Sequence, residues 1–279
     1  RGADLFSFVE FVDRDGEYKT ASEVYKFLID NYSDPQNIPL AKLGYAKTQE
    51  ALFIQKYNAA NPEWKSFFIP AKVNENEIEP VISAYQEIIK VYQHSEVAIE
   101  ANLRIGILLA HYRNDIIEGE KYFSIITETY PMSKFASLAF IELGNIKIQQ
   151  AKLDEAEKLF DQLDKTRKDI PLGKIYLAAV NIAKAYDYEE PYDDDLITKR
   201  LEGAKKISER LIKNDDKDIW NNYFLALTEG YIAYYDALRE NWLQAFLTGL
   251  SSVSAFEACL EIDSKFYESF IAIGSYKFW

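Results

Sequence analysis

The feature of this sequence that most restricts its fold is a helical pattern that returns several times along the chain. Four stretches each place a small or β-branched residue, an aromatic residue and an aliphatic residue at positions i, i+4 and i+7, which share one face of an α-helix. These stretches are Ala21–Leu28, Val81–Ile88, Gly119–Ile126 and Ala156–Leu163. Their aromatic residues Tyr85, Phe123 and Phe160 are 38 and 37 residues apart. Self-similarity at a period of about 20 to 50 residues is typical of stacked repeats.

A second helical pattern precedes each of the later stretches, over Leu40–Tyr57, Val97–Tyr112 and Phe135–Gln150. Short polar turns join the two helices, so the repeating unit is predicted to be a helical hairpin. At the start of the helix that holds Phe160, Asp154 is predicted to be the N-cap, because a short acidic side chain accepts hydrogen bonds from the unpaired amides of the first turn.

The hairpins divide the chain into a regular and a less regular part. Residues 1–168 are predicted to form repeats with an insertion at about 58–76, because the step from Tyr25 to Tyr85 is 60 residues, longer than the later steps. Residues 169–279 are predicted to form longer, degenerate hairpins that continue the stack, with the last repeat incomplete. The predicted helices of this part are Ile175–Tyr188, Leu196–Ile212, Asp218–Leu238 and Trp242–Ile262. The pattern is interrupted at both ends, and we expect the chain to be a segment of a longer protein.

Composition agrees with an all-helical protein and narrows its partners. The chain is 48% hydrophobic, enough for a continuous core, and its 11 Gly and 8 Pro are too few for a protein rich in tight turns. Its formal net charge of −13 disfavours nucleic acid and anionic membrane surfaces. No apolar run approaches the roughly 20 residues needed to span a bilayer. One cysteine and 2 histidines leave no disulfide and no zinc site, and no metal or cofactor is predicted.

The repeat resembles the tetratricopeptide repeat (TPR). That family places a large residue, Leu-Gly and an aromatic in the first helix, then Ala and an aromatic in the second. Phe140, Leu143, Gly144, Ala156 and Phe160 match this order. The resemblance implies an all-α fold, a right-handed α-α superhelix (solenoid) of antiparallel hairpins, with Gly44, Gly106, Gly144 and Gly274 allowing close approach of helices. The segment 130–136 is similar to a junction in bacterial cell-envelope TPR proteins, including the lipoprotein subunit of the outer-membrane β-barrel assembly machine.

Residues that could take part in catalysis, metal binding or ligand binding have simpler structural interpretations. No Gly-x-Ser-x-Gly, His-Glu-x-x-His, phosphate-loop or dinucleotide motif is present, so the chain is predicted not to be an enzyme. The acidic run 189–195 is interpreted as a solvated turn rather than a cation site. Cys259 shares an apolar stripe with Phe256 and is interpreted as a buried small hydrophobe. The aromatic residues around Tyr231 are interpreted as core, with a ligand groove as the alternative. This aromatic cluster comprises Trp220, Tyr231, Tyr234, Tyr235 and Trp242.

The function predicted from these features is a protein-protein interaction scaffold that holds a peptide or protein on the concave surface formed by the first helices. The residues predicted to contact the partner, from their register with Gly44 and Gly144, are Tyr45, Thr48, Gln49, His111, Tyr112, Asn145, Ile148 and Gln149. Two alternatives remain open: a solenoid that binds a small ligand, lipid or glycan near Tyr231, and the accessory region of a longer enzyme. Homo-oligomerisation is compatible with the sequence. The bacterial periplasm or outer membrane is favoured over the cytoplasm.

Overall fold

The computed structural model describes residues 2–14, 16–32, 34–60, 73–189, 192–264, 266, 268–270 and 273–274. It divides the chain into two compact units, residues 1–139 and 140–279. The central part of the predicted insertion, residues 61–72, lies outside the described residues, as do several residues of the predicted incomplete last repeat after residue 264. The insertion and the predicted division near residue 168 therefore stay predictions.

The described part of the first unit contains six helices. They are α1 (Gly2–Arg14), α2 (Tyr18–Asn31), α3 (Asn37–Ala60), α4 (Glu75–Val91), α5 (Glu96–Ile107) and α6 (Ile116–Thr129). After α5, residues Leu108–Arg113 form one wide π-helical turn. Each helix packs against the next one along the chain, from α1 and α2 to α5 and α6. This order of contacts is that of stacked helical hairpins, because each element mainly contacts its neighbours in sequence.

The second unit has the same arrangement, and its last three described helices have 20 or 21 residues each. The described helices of this unit are α7 (Ala136–Gln149, which begins in the first unit), α8 (Leu153–Thr166), α9 (Leu172–Tyr186), α10 (Asp194–Asn214), α11 (Ile219–Leu238) and α12 (Trp242–Ile262). From α8 to α12, each helix again packs against the next. The described part of the chain contains no strand, so the prediction of an all-α helical repeat is confirmed.

Large aromatic side chains of one helix fill the space above glycines of its neighbour. A β-carbon on Gly144 would lie 2.1 Å from Cζ of Phe160, and one on Gly106 would lie 2.5 Å from Cε1 of Phe123. Both rings are fully buried. The predicted close approach is therefore confirmed at these glycines. At Gly274 it is not confirmed, because an added β-carbon would meet nothing within 4 Å among the residues that the structure describes.

Several helices begin at capping side chains, although not at the one that was predicted. Asn74, Ser95, Asp115, Asp193 and Asp218 each accept a hydrogen bond from a first-turn amide. The predicted cap Asp154 is wrong, because α8 begins one residue earlier, at Leu153. Asp154 lies in the first turn instead, where its carboxylate accepts a hydrogen bond from Lys184 of α9.

Candidate partner-binding site

The predicted contact residues of α3 turn toward α2. The Gln49 side chain donates a hydrogen bond to the Ser22 hydroxyl at 2.7 Å. Thr48 is fully buried, with 0% exposure, and its hydroxyl donates to the Tyr45 carbonyl at 2.7 Å. Thr48 therefore has no side-chain surface to offer a partner. Tyr45 is partly buried and packs against the cluster that contains Tyr25 and Leu28 of α2.

The helical register assumed for α3 was wrong, because Gly44 packs against a different neighbouring helix from the one that Gly106 and Gly144 pack against. Gly106 and Gly144 lie against aromatic rings of the helix that follows, whereas Gly44 lies against Tyr25 of the helix that precedes it. An added β-carbon on Gly44 would be 2.3 Å from Cζ of Tyr25. Counting positions from Gly44 as if it were equivalent to Gly144 thus rotates the predicted surface around α3.

Tyr45 instead contributes to a groove between α2 and α4 that encloses about 250 Å³. Apolar side chains of all three helices line the groove together with charged residues. The lining residues are Lys26, Ile29 and Asp30 of α2, Lys42 and Tyr45 of α3, and Ala84, Glu87 and Ile88 of α4. Small-molecule sites typically enclose about 300 to 1,000 Å³. The smaller groove suits one large side chain rather than a whole ligand.

The charges of this groove are balanced between lysines and carboxylates. The Lys42 ammonium lies 3.0 Å from a Glu87 carboxylate oxygen. The same ammonium lies 5.8 Å from the centre of the Tyr92 ring, within the range of a cation–π contact. Two lysines and two acids therefore contribute no net charge to an otherwise strongly acidic chain.

On α3, the residues that reach α5 are Lys47 and Glu50, neither of which the sequence analysis selected. A Glu100 carboxylate oxygen lies 3.2 Å from the Lys47 ammonium and 3.2 Å from Nε of Arg104. The other side of the Arg104 guanidinium donates to both oxygens of Glu50 at 3.3 Å. Sequence distance hides this network, since Glu50 and Arg104 are 54 residues apart. No local sequence pattern marks this network, because the burial of Glu50 is visible only in the structure.

Glu50 also accepts a hydrogen bond from the hydroxyl of Tyr85, which is fully buried in α4. Burial and the Glu50 charge raise the pKa of Tyr85 well above its ordinary value, although Arg104 opposes them. Burial alone would lower the pKa of Arg104, but the charges of Glu50, Tyr85 and Glu100 raise it. The arginine therefore stays charged and the tyrosine neutral, which favours a structural role for the network.

The wide turn after α5 places His111 and Tyr112 differently from a regular helix. Tyr112 contacts the rings of Phe53 at 5.7 Å and Tyr57 at 5.2 Å between centroids, both in edge-to-face geometry. Burial, followed by the charge of Glu50, raises the pKa of Tyr112. His111 is exposed. Tyr112 thus packs mainly on α3, and its contact with a partner stays a prediction.

In the second unit, the predicted contact residues follow Gly144 on α7. Ile148 packs against the cluster around Phe160 and Leu177. Asn145 is partly buried and Gln149 is exposed. Gln149 therefore has the most exposed side chain of the three, and its role in binding stays a prediction.

The aromatic residues near Tyr231 do not form one cluster. Tyr231 and Tyr235 pack with Ile182 and Leu201 in the core between α9, α10 and α11. Trp220 lies at the other end of α11, where its ring centroid is 5.4 Å from that of Phe266. Trp242 is 67% exposed on α12. Tyr231 and Tyr235 therefore belong to the core, whereas Trp220, Tyr234 and Trp242 stay exposed, so the five aromatic residues do not line one continuous groove.

The acidic run 189–195 and Cys259 have structural partners. Asp193 caps α10, and Asp194 accepts hydrogen bonds from Tyr235 and Arg239. Cys259 is fully buried, and burial raises the pKa of its thiol, so its interpretation as a buried small hydrophobe is confirmed. In the described ranges, no group of three or more His, Cys, Asp or Glu is arranged to hold a metal ion.

One helix of the described part of the chain, α12, has the length and apolar composition of a membrane span. This segment was not predicted from the sequence, because Gln244, Thr248 and several serines interrupt its apolar residues. Of the most apolar window of this helix, 39% is buried inside the protein. Core helices of soluble proteins pass the same test, so length and composition alone do not place α12 in a membrane.

No protein-family model and no curated protein sequence matches the chain. Among solved structures, it is similar to the C-terminal part of a TPR repeat-containing protein from Cytophaga hutchinsonii, with 17% identity, a TM-score of 0.41, and 96% of this chain and 99% of that one covered. Human IFIT1, in a dimer with m7Gppp-AAAA, gives 13% identity and a TM-score of 0.41, covering 92% and 63%. The TPR2AB domain of yeast Sti1, in complex with pHSP90, gives 12% identity and a TM-score of 0.31, covering 97% and 94%.

TPR proteins are thus among the structures that this chain is similar to, as the sequence resemblance implied. The assignment of the fold rests on the helix packing described above. A relationship to the outer-membrane lipoprotein stays a prediction.

Proposed function

We propose that this protein is a non-catalytic scaffold that binds a peptide segment of another protein in the groove between α2 and α4. The observation that supports this proposal most directly is the composition of the groove. Tyr45, Ile29, Ala84 and Ile88 supply apolar surface, and two lysines and two acidic residues surround it. Protein interfaces commonly combine an apolar centre, which receives an anchoring side chain, with a polar rim.

The charges indicate which kind of partner fits. The groove itself is neutral, whereas the whole chain carries −13. An extended nucleic acid would be repelled by the rest of the surface. A peptide could place one large apolar residue in the groove and pair its flanking polar groups with Lys26 and Asp30 at the edge. It would not meet the electrostatic repulsion that a nucleic acid meets.

A substitution that fills the groove tests the proposal. Ala84→Trp places an indole among the lining residues, and Ala59→Trp is a matched control on an exposed position of α3 outside the groove. Peptides would be selected from a displayed random library on the wild-type protein, and their affinities measured by fluorescence anisotropy. We expect peptides with a large apolar anchor that lose at least tenfold in affinity for Ala84→Trp and bind Ala59→Trp like wild type. Selection of no binding peptide, or equal binding by Ala84→Trp, would contradict the proposal.

We also propose a location in the bacterial cell envelope, which only the resemblance of segment 130–136 supports. Fractionation of the source cells with an antibody against the protein tests it. Recovery in the soluble cytoplasmic fraction would reject it.

A further inference from the structure

Helix α12 carries a continuous row of exposed large apolar side chains along its first half. We call this row the α12 apolar surface, and it consists of Trp242, Leu243, Phe246, Leu247 and Leu250. Their exposures range from 43% for Leu250 to 72% for Leu243. Scattered exposed apolar residues are normal, but a contiguous patch of this kind usually marks an interaction site.

The opposite face of α12 is already occupied by α11. The Ser252 hydroxyl donates to the Ala226 carbonyl at 2.8 Å, and Phe256 and Cys259 are buried in the same contact. Residues 242, 243, 246, 247 and 250 recur at spacings of three or four, so they share one side of the helix. This side faces away from Ser252, Phe256 and Cys259. The α12 apolar surface is thus not explained by the packing of the hairpin.

The surface is uncharged, and its residues follow a coiled-coil spacing. From Trp242 to Phe256 the sequence contains no Asp, Glu, Lys or Arg. Leu243, Phe246, Leu250 and Val253 are separated by steps of 3, 4 and 3. Alternating steps of three and four keep the same side of a helix against a partner helix, as at the a and d positions of a coiled coil. A second helix of the same kind is therefore a complementary occupant.

We infer that the α12 apolar surface is a self-association site, in which two copies of this chain pack α12 against α12 around a two-fold axis. A two-fold interface uses the same patch on both copies, so a self-complementary seam is what it requires. The five side chains expose on the order of 600 Å², taking 150–250 Å² for a large side chain. Stable interfaces use about 800 Å² per partner. The seam and its immediate surroundings approach this area.

The two helices pack antiparallel. Glu257 and Glu261 lie on the same side of α12 as the apolar row, beyond its end. A parallel pair would bring these carboxylates against their own copies, and like charges in contact are destabilising. An antiparallel pair separates them and keeps only the uncharged first halves in contact.

A bilayer surface is a less suitable occupant. Helices that bind membrane surfaces usually flank their apolar face with Lys and Arg, which attract lipid headgroups. Arg239, the cation nearest to this row in the sequence, contacts Asp194 at 3.3 Å and Asp236 at 3.0 Å, and Glu240 lies next to it. The negative charge of the whole chain adds repulsion from anionic lipid.

Sedimentation equilibrium of the purified chain tests the inference. We expect a monomer–dimer equilibrium that shifts toward dimer as NaCl is raised, because salt screens the repulsion between two chains of charge −13. The double variant Leu243→Glu/Leu250→Glu should raise the dimer Kd at least tenfold. Ile117→Glu, which changes a residue on α6 that is 75% exposed, should leave it unchanged. Unfolding curves establish that each variant is folded.

Cross-linking tests the orientation. In a Cys259→Ser background, Leu247→Cys lies near the centre of the seam and should form a dimer through a disulfide, whereas Ser254→Cys should not. A wild-type chain that stays monomeric at several hundred micromolar would overturn the inference, as would a dimer that survives the double variant. Efficient cross-linking at both positions would overturn the antiparallel pairing. Flotation of the wild type, but not the double variant, with neutral phosphatidylcholine vesicles and no dimer in solution would assign the surface to a bilayer.

Discussion

The ring of Phe160 occupies the space where any side chain on Gly144 would begin, with its Cζ 2.1 Å from the position of an added β-carbon. Both residues were selected from the sequence as parts of one repeat, and the contact joins the two helices of a single hairpin. The helices α7 and α8 are therefore held at a distance that only glycine permits.

Gly144→Ala should destabilise the protein by about 1–3 kcal/mol, because the buried Phe160 ring has to move to make room for the methyl group. Gly203→Ala is the matched control, since its β-carbon would meet only the flexible end of Lys174, with Cδ at 3.2 Å. In α10 that change should be neutral or stabilising, as alanine favours helix over glycine by up to about 1 kcal/mol. Urea unfolding of the two variants measures both effects. Equal stability of the two variants would contradict the role assigned to Gly144.

Tyr85→Phe should destabilise the first unit by about 1–3 kcal/mol, since Glu50 loses a buried hydrogen-bond donor while its charge stays in place. Tyr122→Phe is the control, because the Tyr122 hydroxyl accepts a long hydrogen bond from Gln86, at 3.4 Å, in an exposed pair. We expect a change below about 0.5 kcal/mol for the control. Thermal and urea unfolding provide the comparison, and a Tyr85→Phe chain as stable as wild type would show that Arg104 alone satisfies Glu50.

Stability should fall at alkaline pH because buried tyrosines resist ionisation. Burial is the leading cause that raises the pKa of these side chains, which are Tyr25, Tyr85, Tyr112, Tyr176 and Tyr235. In the unfolded chain a tyrosine loses its proton near pH 10. The stability is thus fully present below about pH 10 and is lost as pH rises toward the folded pKa values. Each tyrosine contributes a slope of about 1.4 kcal/mol per pH unit in that window.

Urea midpoints between pH 8 and pH 11.5, with tyrosinate absorbance read in parallel, measure this loss. Tyr25→Phe should reduce the slope of stability against pH by the contribution of one tyrosine. A flat profile, or tyrosine ionisation near pH 10 without loss of structure, would mean that these side chains reach solvent more easily than their burial indicates.

Cys259 should be unreactive toward a thiol reagent in the native protein and reactive in urea. The thiol is fully buried, and burial raises its pKa, so both access and thiolate formation are limited. The labelling rate with Ellman's reagent, followed against urea concentration, reports the opening of α12 from α11. Stoichiometric labelling of the native chain within seconds would show that this end of the second unit opens freely. The chain has one cysteine, so the readout needs no further variant.

The sequence predicted the helices well because their apolar periodicity is local. Helix α12 was predicted as Trp242–Ile262 and is observed with the same bounds. Gly144 and Phe160 were also assigned to one repeat from the sequence alone, with Gly144 predicted to allow close approach of helices. In both cases the information lies within a few turns of helix.

The candidate site was less predictable because it depends on how each helix is rotated against its neighbours. Gly44 and Gly144 look equivalent in sequence, yet they face different partners, and this moved Tyr45 and Gln49 to the α2 side. The link between Glu50 and Arg104 joins helices far apart in sequence. No local sequence pattern predicts this ion pair, because one acidic residue in an acidic chain does not stand out until the structure shows that it is buried.

The wide turn at Leu108–Arg113 contains one residue more than a regular α-helical turn. The next helix, α6, still begins shortly after it, at Ile116. A one-residue insertion in such a gene would therefore be absorbed inside a single turn, and the hairpins on either side would not have to shift. Repeats of unequal length, such as those seen here, can accumulate in this way by small steps, each of which leaves a folded protein for selection to act on.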